Sequence, residues 1–323
     1  MAALGCQTRA QGASRCAQDS LDHADGYDER TQVAARRGPT GHKIELGIRL
    51  RQLRENVDLT MKEAAEGLSF SDALLQRVET GELAFRQVGY LRELLDRYGI
   101  EDRELIESLV ELNKAAHSRH WVTQIRQKMP PGMTKFVGAE SEARGMRAFH
   151  PTVVHGLLQT RDYAQAIFER SKPIEETTTQ FIRDSVAIRM QRQEPLHRED
   201  DPLKLWVILC EVSLQYVIGG DEVMIGQYRH IAELSQREHI RIQVLPTAHR
   251  GYRSSNDFAI LDLGEGLPSM VQTDTAGGAV STSDTPEVIE RFGRKFEAMA
   301  ASALPPEETH DFMHQLEREL QSH

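Results

Sequence analysis

Apolar and polar positions alternate with a helical period through the first third of the chain. Leu46, Leu50 and Leu53 recur every three to four residues and give a first helix one apolar stripe. Thr60 stands where a helix N-cap belongs, and Glu63 three residues later completes a capping-box pattern. The helix it opens turns Ala64, Ala65 and Leu68 inward, the small Ala65 letting the next helix cross closely. Ser71 then caps a third helix in which Leu75 and Val78 face the core, while Asp72, Ala73, Gln76 and Arg77 face out. Two short helices joined by a brief turn are the geometry that sets a second helix into a major groove.

The same period continues. Leu91, Leu94 and Leu95 mark a fourth helix near residues 88–98, stopped by Gly99, and Leu105, Leu109 and Leu112 mark a fifth over roughly 102–125. The run 128–133, which holds Pro130-Pro131-Gly132, breaks the pattern and is the hinge candidate. Beyond it the period becomes mixed. Helices are expected over 156–170, 178–194, 221–237, 285–303 and 306–320, with Pro286 in a first turn. Short β-prone runs stand at 205–210, 240–245, 258–263 and 270–273. The expected fold is multi-domain: an all-α helix-turn-helix domain of four to five helices at 41–127, then an α+β domain at 134–323. Residues 1–40 lack periodicity, are rich in Gly, Ala, Ser, Asp and Arg, and read as a disordered extension.

Composition narrows the classes. The chain has 323 residues, 39% of them hydrophobic, enough for two cores. Its 39 Lys and Arg against 49 Asp and Glu give a net charge of −10, so it has no general attraction to nucleic acid. Cys6, Cys16 and Cys210 form no CxxC and no disulfide framework, which fits a reducing cytoplasm. No window approaches the roughly eighteen apolar residues of a membrane span, and no export signal is read.

With these elements placed, two resemblances emerge. Residues 46–98 resemble the Cro/repressor (XRE) type of helix-turn-helix through Leu59-Thr60, Ala65, Ser71 and Val78-Glu79-Thr80-Gly81. The remainder resembles the C-terminal domain of a large actinobacterial regulator family often described as antitoxin-like. The segments that carry this are Gly156-Leu157-Leu158-Gln159-Thr160, Asp162-Tyr163-Ala164, Arg189 to Gln193, Gly219-Gly220 with Gln227, Val244-Leu245-Pro246 and Phe258. The resemblance implies a cytoplasmic transcriptional regulator that commonly works with a small, separately encoded partner protein. Three positions depart from the patterns: Met61 replaces a backbone-touching glutamine, Ser69 a turn glycine, and His155 a proline. If the backbone at Ser69 keeps a positive φ, a side chain there costs on the order of 1 kcal/mol.

The outward face of the third helix supplies the candidate readers. Arg77 can pair with guanine, Ala73 can touch a thymine methyl, and Asp72 can accept from a cytosine amino group. Asp72 is read equally well as a cap. Ser71, Gln76, Thr80, Lys62 and Arg49 complete the DNA-binding set. Residues 41–100 nevertheless carry nine basic against ten acidic side chains, a balance of −1. Affinity that depends on phosphate neutralisation then calls for a dimer on two half-sites. Gln159, Arg189, Arg192, Gln193 and Glu211 form a candidate ligand or partner site, with structural ion pairing between the arginines and carboxylates such as Glu211 as the plainer reading. No cofactor and no metal is expected: His117 with His120, and His150 with His155, lack a third ligand at metal spacing. Two alternatives stand beside the regulator. One is an antitoxin-like partner-binding protein whose DNA binding is weak or lost. The other is a self-cleaving peptidase using Ser269 and Lys295 on the Ala276-Gly277 bond, whose order along the chain is wrong for that chemistry.

Overall fold

The computed structural model describes residues 38–117, 121–125, 129–275 and 279–322. The extension 1–37, with Cys6 and Cys16, lies outside the described residues, as do His120, Lys128 and the Ala276-Gly277 bond.

The N-terminal part is all helical. α1 (Pro39–Asn56) starts inside the stretch read as an extension, with Pro39 in its first turn and its N–H groups met by a distant carboxylate. α2 (Met61–Ala65) opens on the expected capping box, Thr60 and Glu63 each receiving the other's backbone N–H. α3 (Asp72–Glu79) is capped by Ser71, whose hydroxyl accepts from the Leu74 N–H. α4 (Val88–Arg97) and α5 (Arg103–Ala115) close the domain. Leu46, Leu50, Ala64, Leu75, Val78, Leu91, Leu94, Leu95 and Leu109 form one buried cluster, and Leu53 and Leu68 pack on it half-buried.

α5 ends ten residues short of the expected span, and a separate short helix, α6 (Trp121–Gln124), follows. α5 is anchored by Asn113, whose buried amide donates to the Phe85 carbonyl and accepts from the Phe85 N–H. His117 adds a 2.9 Å contact between its Nε2 and the same carbonyl.

The second part is built on a six-stranded sheet in the order β3-β2-β1-β4-β5-β6. β1 (Gly145–His150), β2 (Lys204–Cys210) and β3 (Ile240–Leu245) run parallel. β4 (Phe258–Asp262), β5 (Met270–Asp274) and β6 (Val280–Ser283) continue antiparallel from β1. One face is covered by α7 (Met133–Glu142), α11 (Asp221–Leu234) and α13 (Thr309–Gln321), which bury Phe136, Tyr228 and Met313 against Val207 and Ile242. The other face is covered by α12 (Pro286–Ala300), whose Phe296 and Met299 bury against Phe149, Ile208 and Phe258. The fold is therefore a helix-turn-helix region followed by an α+β domain.

β1, β6, α7 and the short α10 (Glu211–Gln215) have no counterpart in the sequence reading. β1 is central, but Gly145, Arg147 and His150 dilute its apolar pattern. β6 is short and hydroxyl-rich, and α7 was hidden behind the Pro-Pro-Gly break. The helix expected over 156–170 is broken in two. Gly156–Leu158 forms a single 3-10 turn, and Thr160 caps a new helix, α8 (Arg161–Glu175), by accepting from the Tyr163 N–H. α9 (Thr179–Gln191) follows, and α10 (Glu211–Gln215) leaves the end of β2.

Candidate nucleic-acid interface and the buried arginine cluster

The geometry of α3 comes from its hidden side. Arg54 of α1 grips Glu79 with two parallel hydrogen bonds of 2.9 Å. Their side chains are 12% and 1% exposed. Arg51 donates to the Glu79 carbonyl, and Arg54 also donates to the Leu59 carbonyl. Two arginines of α1 thus hold the end of α3, and burial of the charged pair fixes its pitch. Glu79 had been legible only as a motif letter, because its partner stands 25 residues away.

The turn before α3 is fastened to α4. Glu93 accepts from the Ser69 backbone N–H and hydroxyl, both at 3.0 Å, and Arg97 donates to the Glu66 carbonyl. The left-handed residue of this turn is Gly67, at φ 74°, and Ser69 is not in that region. The strain expected for Ser69 therefore does not arise, and its hydroxyl gains a partner that glycine would lack. Met61 is half-buried on the core, so the departure from glutamine replaces a surface contact by packing.

With that frame fixed, Ser71, Asp72, Ala73, Gln76 and Arg77 all face solvent. Asp72 accepts from the Ala73 N–H at 2.8 Å, which favours its capping role. Thr80 is half-buried and donates to the Arg77 carbonyl. Arg77 pairs with Glu82 at 3.1 Å, both about half exposed. Arg49 pairs with Glu45 at 2.6 Å on α1, and Lys62 is exposed on α2. Exposed pairs of this kind are worth roughly 0–1 kcal/mol, so a phosphate or base edge competes with them readily.

The second set of candidates splits. Arg192 forms a bidentate pair with Glu140 of α7, at 2.7 and 2.9 Å, with side chains 11% and 1% exposed. Glu140, not Glu211, is the carboxylate partner. Glu211 sits at the end of β2, where it accepts from the Thr247 N–H and the Gln215 amide. The glutamines are backbone clamps. Gln159 donates to the Val154 carbonyl and Gln193 to the Gly156 and Gln159 carbonyls. Gln227 donates to the Leu158 carbonyl and accepts from the Thr160 N–H. A buried irregular loop has no ladder to satisfy its polar groups, and these amides supply the partners.

Arg189 donates to Gln159 at 2.7 Å and lies over the Phe168 ring, and burial lowers its guanidinium to about 10. His150 and His155 meet edge to face at 4.7 Å. Burial pushes His150 down to about 4 and His155 well below its ordinary value, so both are neutral at pH 7. His155 caps the 3-10 turn, its Nδ1 accepting from the Leu157 N–H. Ser269 lines a shallow groove with Trp206 and Arg147. Lys295 lies over the Phe292 ring, and no hydrogen bond joins it to Ser269 among the described residues.

The architecture is that of a helix-turn-helix protein with an appended α+β domain. Residues 45–109 match a helix-turn-helix domain, and residues 133–315 match a domain of unknown function (DUF5753). The second match spans more than half of the chain, so the chain belongs to that family. The helix-turn-helix domain marks it as a DNA-binding regulator of transcription. Comparison with curated proteins and with solved structures finds no match. No helix among the described residues is long and apolar enough to cross a membrane.

Proposed function

We propose that the chain is a sequence-specific transcriptional regulator of the XRE type that reads double-stranded DNA as a cytoplasmic homodimer. Its α+β domain, antitoxin-like in character, takes a small partner protein or ligand, and the chain catalyses no reaction. The observation that carries this reading is the outward row Asp72, Ala73, Gln76 and Arg77 on a helix whose opposite face is locked by Leu75, Val78 and Glu79. Phosphate contacts position such a helix and base contacts specify the site. Arg77 is the residue best suited to the second task, through O6 and N7 of guanine.

Dimerisation supplies what the near-neutral domain lacks, because two half-sites double the phosphate contacts. The test is sequencing of DNA co-purified with the protein, with and without the product of the adjacent gene. A common half-site is expected to be enriched by the parent chain and lost in Arg77→Ala. Retained enrichment in that variant would show that α3 is not the reader. Tight operator binding by a monomer at physiological salt would remove the dimer from the scheme.

A second reading has its own support. The balance of −1 over residues 41–100 and the Arg77–Glu82 and Arg49–Glu45 pairs favour a protein that binds DNA weakly and acts through its partner. A gel shift on its own promoter separates the two.

A further inference from the structure

The end of the reading helix opens onto a cavity of about 450 Å³ shared by both parts of the chain. Its wall includes Lys43 of α1, Arg77 of α3, Glu82, the Pro130-Pro131-Gly132 segment and Lys135 of α7. Three cations face one carboxylate there. Its volume is that of an ordinary small-molecule site, which is commonly a few hundred Å³.

Lys135 is the informative residue. It is half-buried, and desolvation lowers its ammonium, with Asp284 and Glu82 offsetting part of the effect. No hydrogen bond or ion pair of its ammonium occurs among the described residues. A desolvated cation without a hydrogen-bonded counter-ion is costly to keep, and an anion placed beside it recovers that cost. Arg77 stands at the same wall, its one ion pair among the described residues being the exposed pair with Glu82.

We infer that this cavity is the seat of a small anion of two or more charges, bearing carboxylate or phosphate groups, whose binding opposes operator binding. The anion meets Lys135 inside and draws Arg77 away from the groove side. Because coupling between two sites is reciprocal, operator DNA weakens the anion by the same factor. The seat stands on the cavity alone, whereas its coupling rests on α3 being the DNA reader.

Titration calorimetry of the full chain with citrate and with pyrophosphate, at ionic strength held constant with chloride, tests the seat. Saturable binding of one or both is expected, and the stronger of the two assigns the carboxylate or phosphate class. Lys135→Gln is expected to weaken it at least tenfold, with its melting curve retained. Glu82→Gln is expected to tighten it severalfold, a gain that misfolding does not produce. Absence of saturable heat with both anions overturns the seat, as does indifference to both substitutions. Anisotropy with labelled operator tests the coupling: the anion should weaken operator binding in the parent chain and not in Lys135→Gln. A chain that takes up the anion in this way yet binds no operator overturns the DNA reading and leaves the seat standing. A chain that binds operator and takes up neither anion does the reverse.

Discussion

Arg54 and Glu79 show how a single buried pair sets the pitch of α3. Both lose water when α1 and α3 pack, and the fork-to-carboxylate geometry returns the attraction in place of hydration. Glu79→Ala leaves Arg54 a largely buried cation with only the exposed Glu55 carboxylate, at 3.5 Å, as a counter-charge among the described residues. The expected cost is about 3 kcal/mol, read as a lower midpoint in urea denaturation. Arg77→Ala should leave that midpoint within about 0.5 kcal/mol, because its pair is exposed. The buried histidines predict acid lability. The folded-state value of His150 is about 4 against an ordinary 6.5, with Arg189 and Arg192 adding to burial and Asp274 opposing it. Between those values the unfolded chain binds the extra proton. Stability is therefore full above pH 6.5 and falls toward pH 4, by roughly 2 kcal/mol at pH 5 from this residue. His155 acts in the same direction. Denaturation at pH 7.5 and pH 5 should show the loss, and His150→Gln should reduce it.

At the scale of elements, close approach decides what local pattern only permits. Gly47 lies where α1 crosses the end of α3, and a methyl there would meet the Val78 and Glu79 carbonyl oxygens at 2.5 and 2.6 Å. Gly47→Ala should therefore force the helices apart, costing on the order of 2 kcal/mol and abolishing operator binding in the same gel shift. The caps, stripes and stops of α1 to α4 were legible because each is a local matter: Thr60 with Glu63, Ser71 with the Leu74 N–H, Leu91 with Leu94 and Leu95. The strands at β2 and β3 were equally plain, the first from an unbroken apolar run and the second from its alternation. β1 was not, although it is the strand that joins the parallel and antiparallel halves of the sheet. Arg147 on one face and His150 on the other interrupt its pattern, because they meet Phe296 of α12 and His155 instead of apolar neighbours. The candidate site was half legible for the same reason. Gln159, Arg189, Arg192 and Gln193 could be chosen by residue type, but Glu140 joins Arg192 only through the packing of α7, 52 residues away in sequence.

Across the whole molecule, α1 belongs to two cores at once. Leu46 and Leu50 bury in the helical cluster, while Ile44 buries with the sheet residues Val207 and Ile242. Its first turn is capped from the α+β domain, since the Glu142 carboxylate accepts the Thr40 N–H at 3.0 Å and the Gly41 N–H at 2.6 Å. Arg51 adds a longer ion pair to Asp284 before α12. The Pro131 carbonyl accepts from the Val280 N–H, so the connecting segment is stitched to β6. A helix-turn-helix held in this way should not open independently of the sheet. Hydrogen exchange on the full chain should therefore give the amides of Leu50 and Val207 similar opening free energies. Glu142→Ala removes an acceptor shared by two helix-terminal N–H groups, a loss of about 1–3 kcal/mol confined to one end of the junction. Protection at Leu50 should fall by that amount while protection at Val207 stays. Equal protection before the substitution and unequal protection after it would identify Glu142 as the coupling between the helix-turn-helix and the α+β domain. Unchanged protection at Leu50 would show instead that the apolar contact through Ile44 suffices, and that the carboxylate is a passive cap.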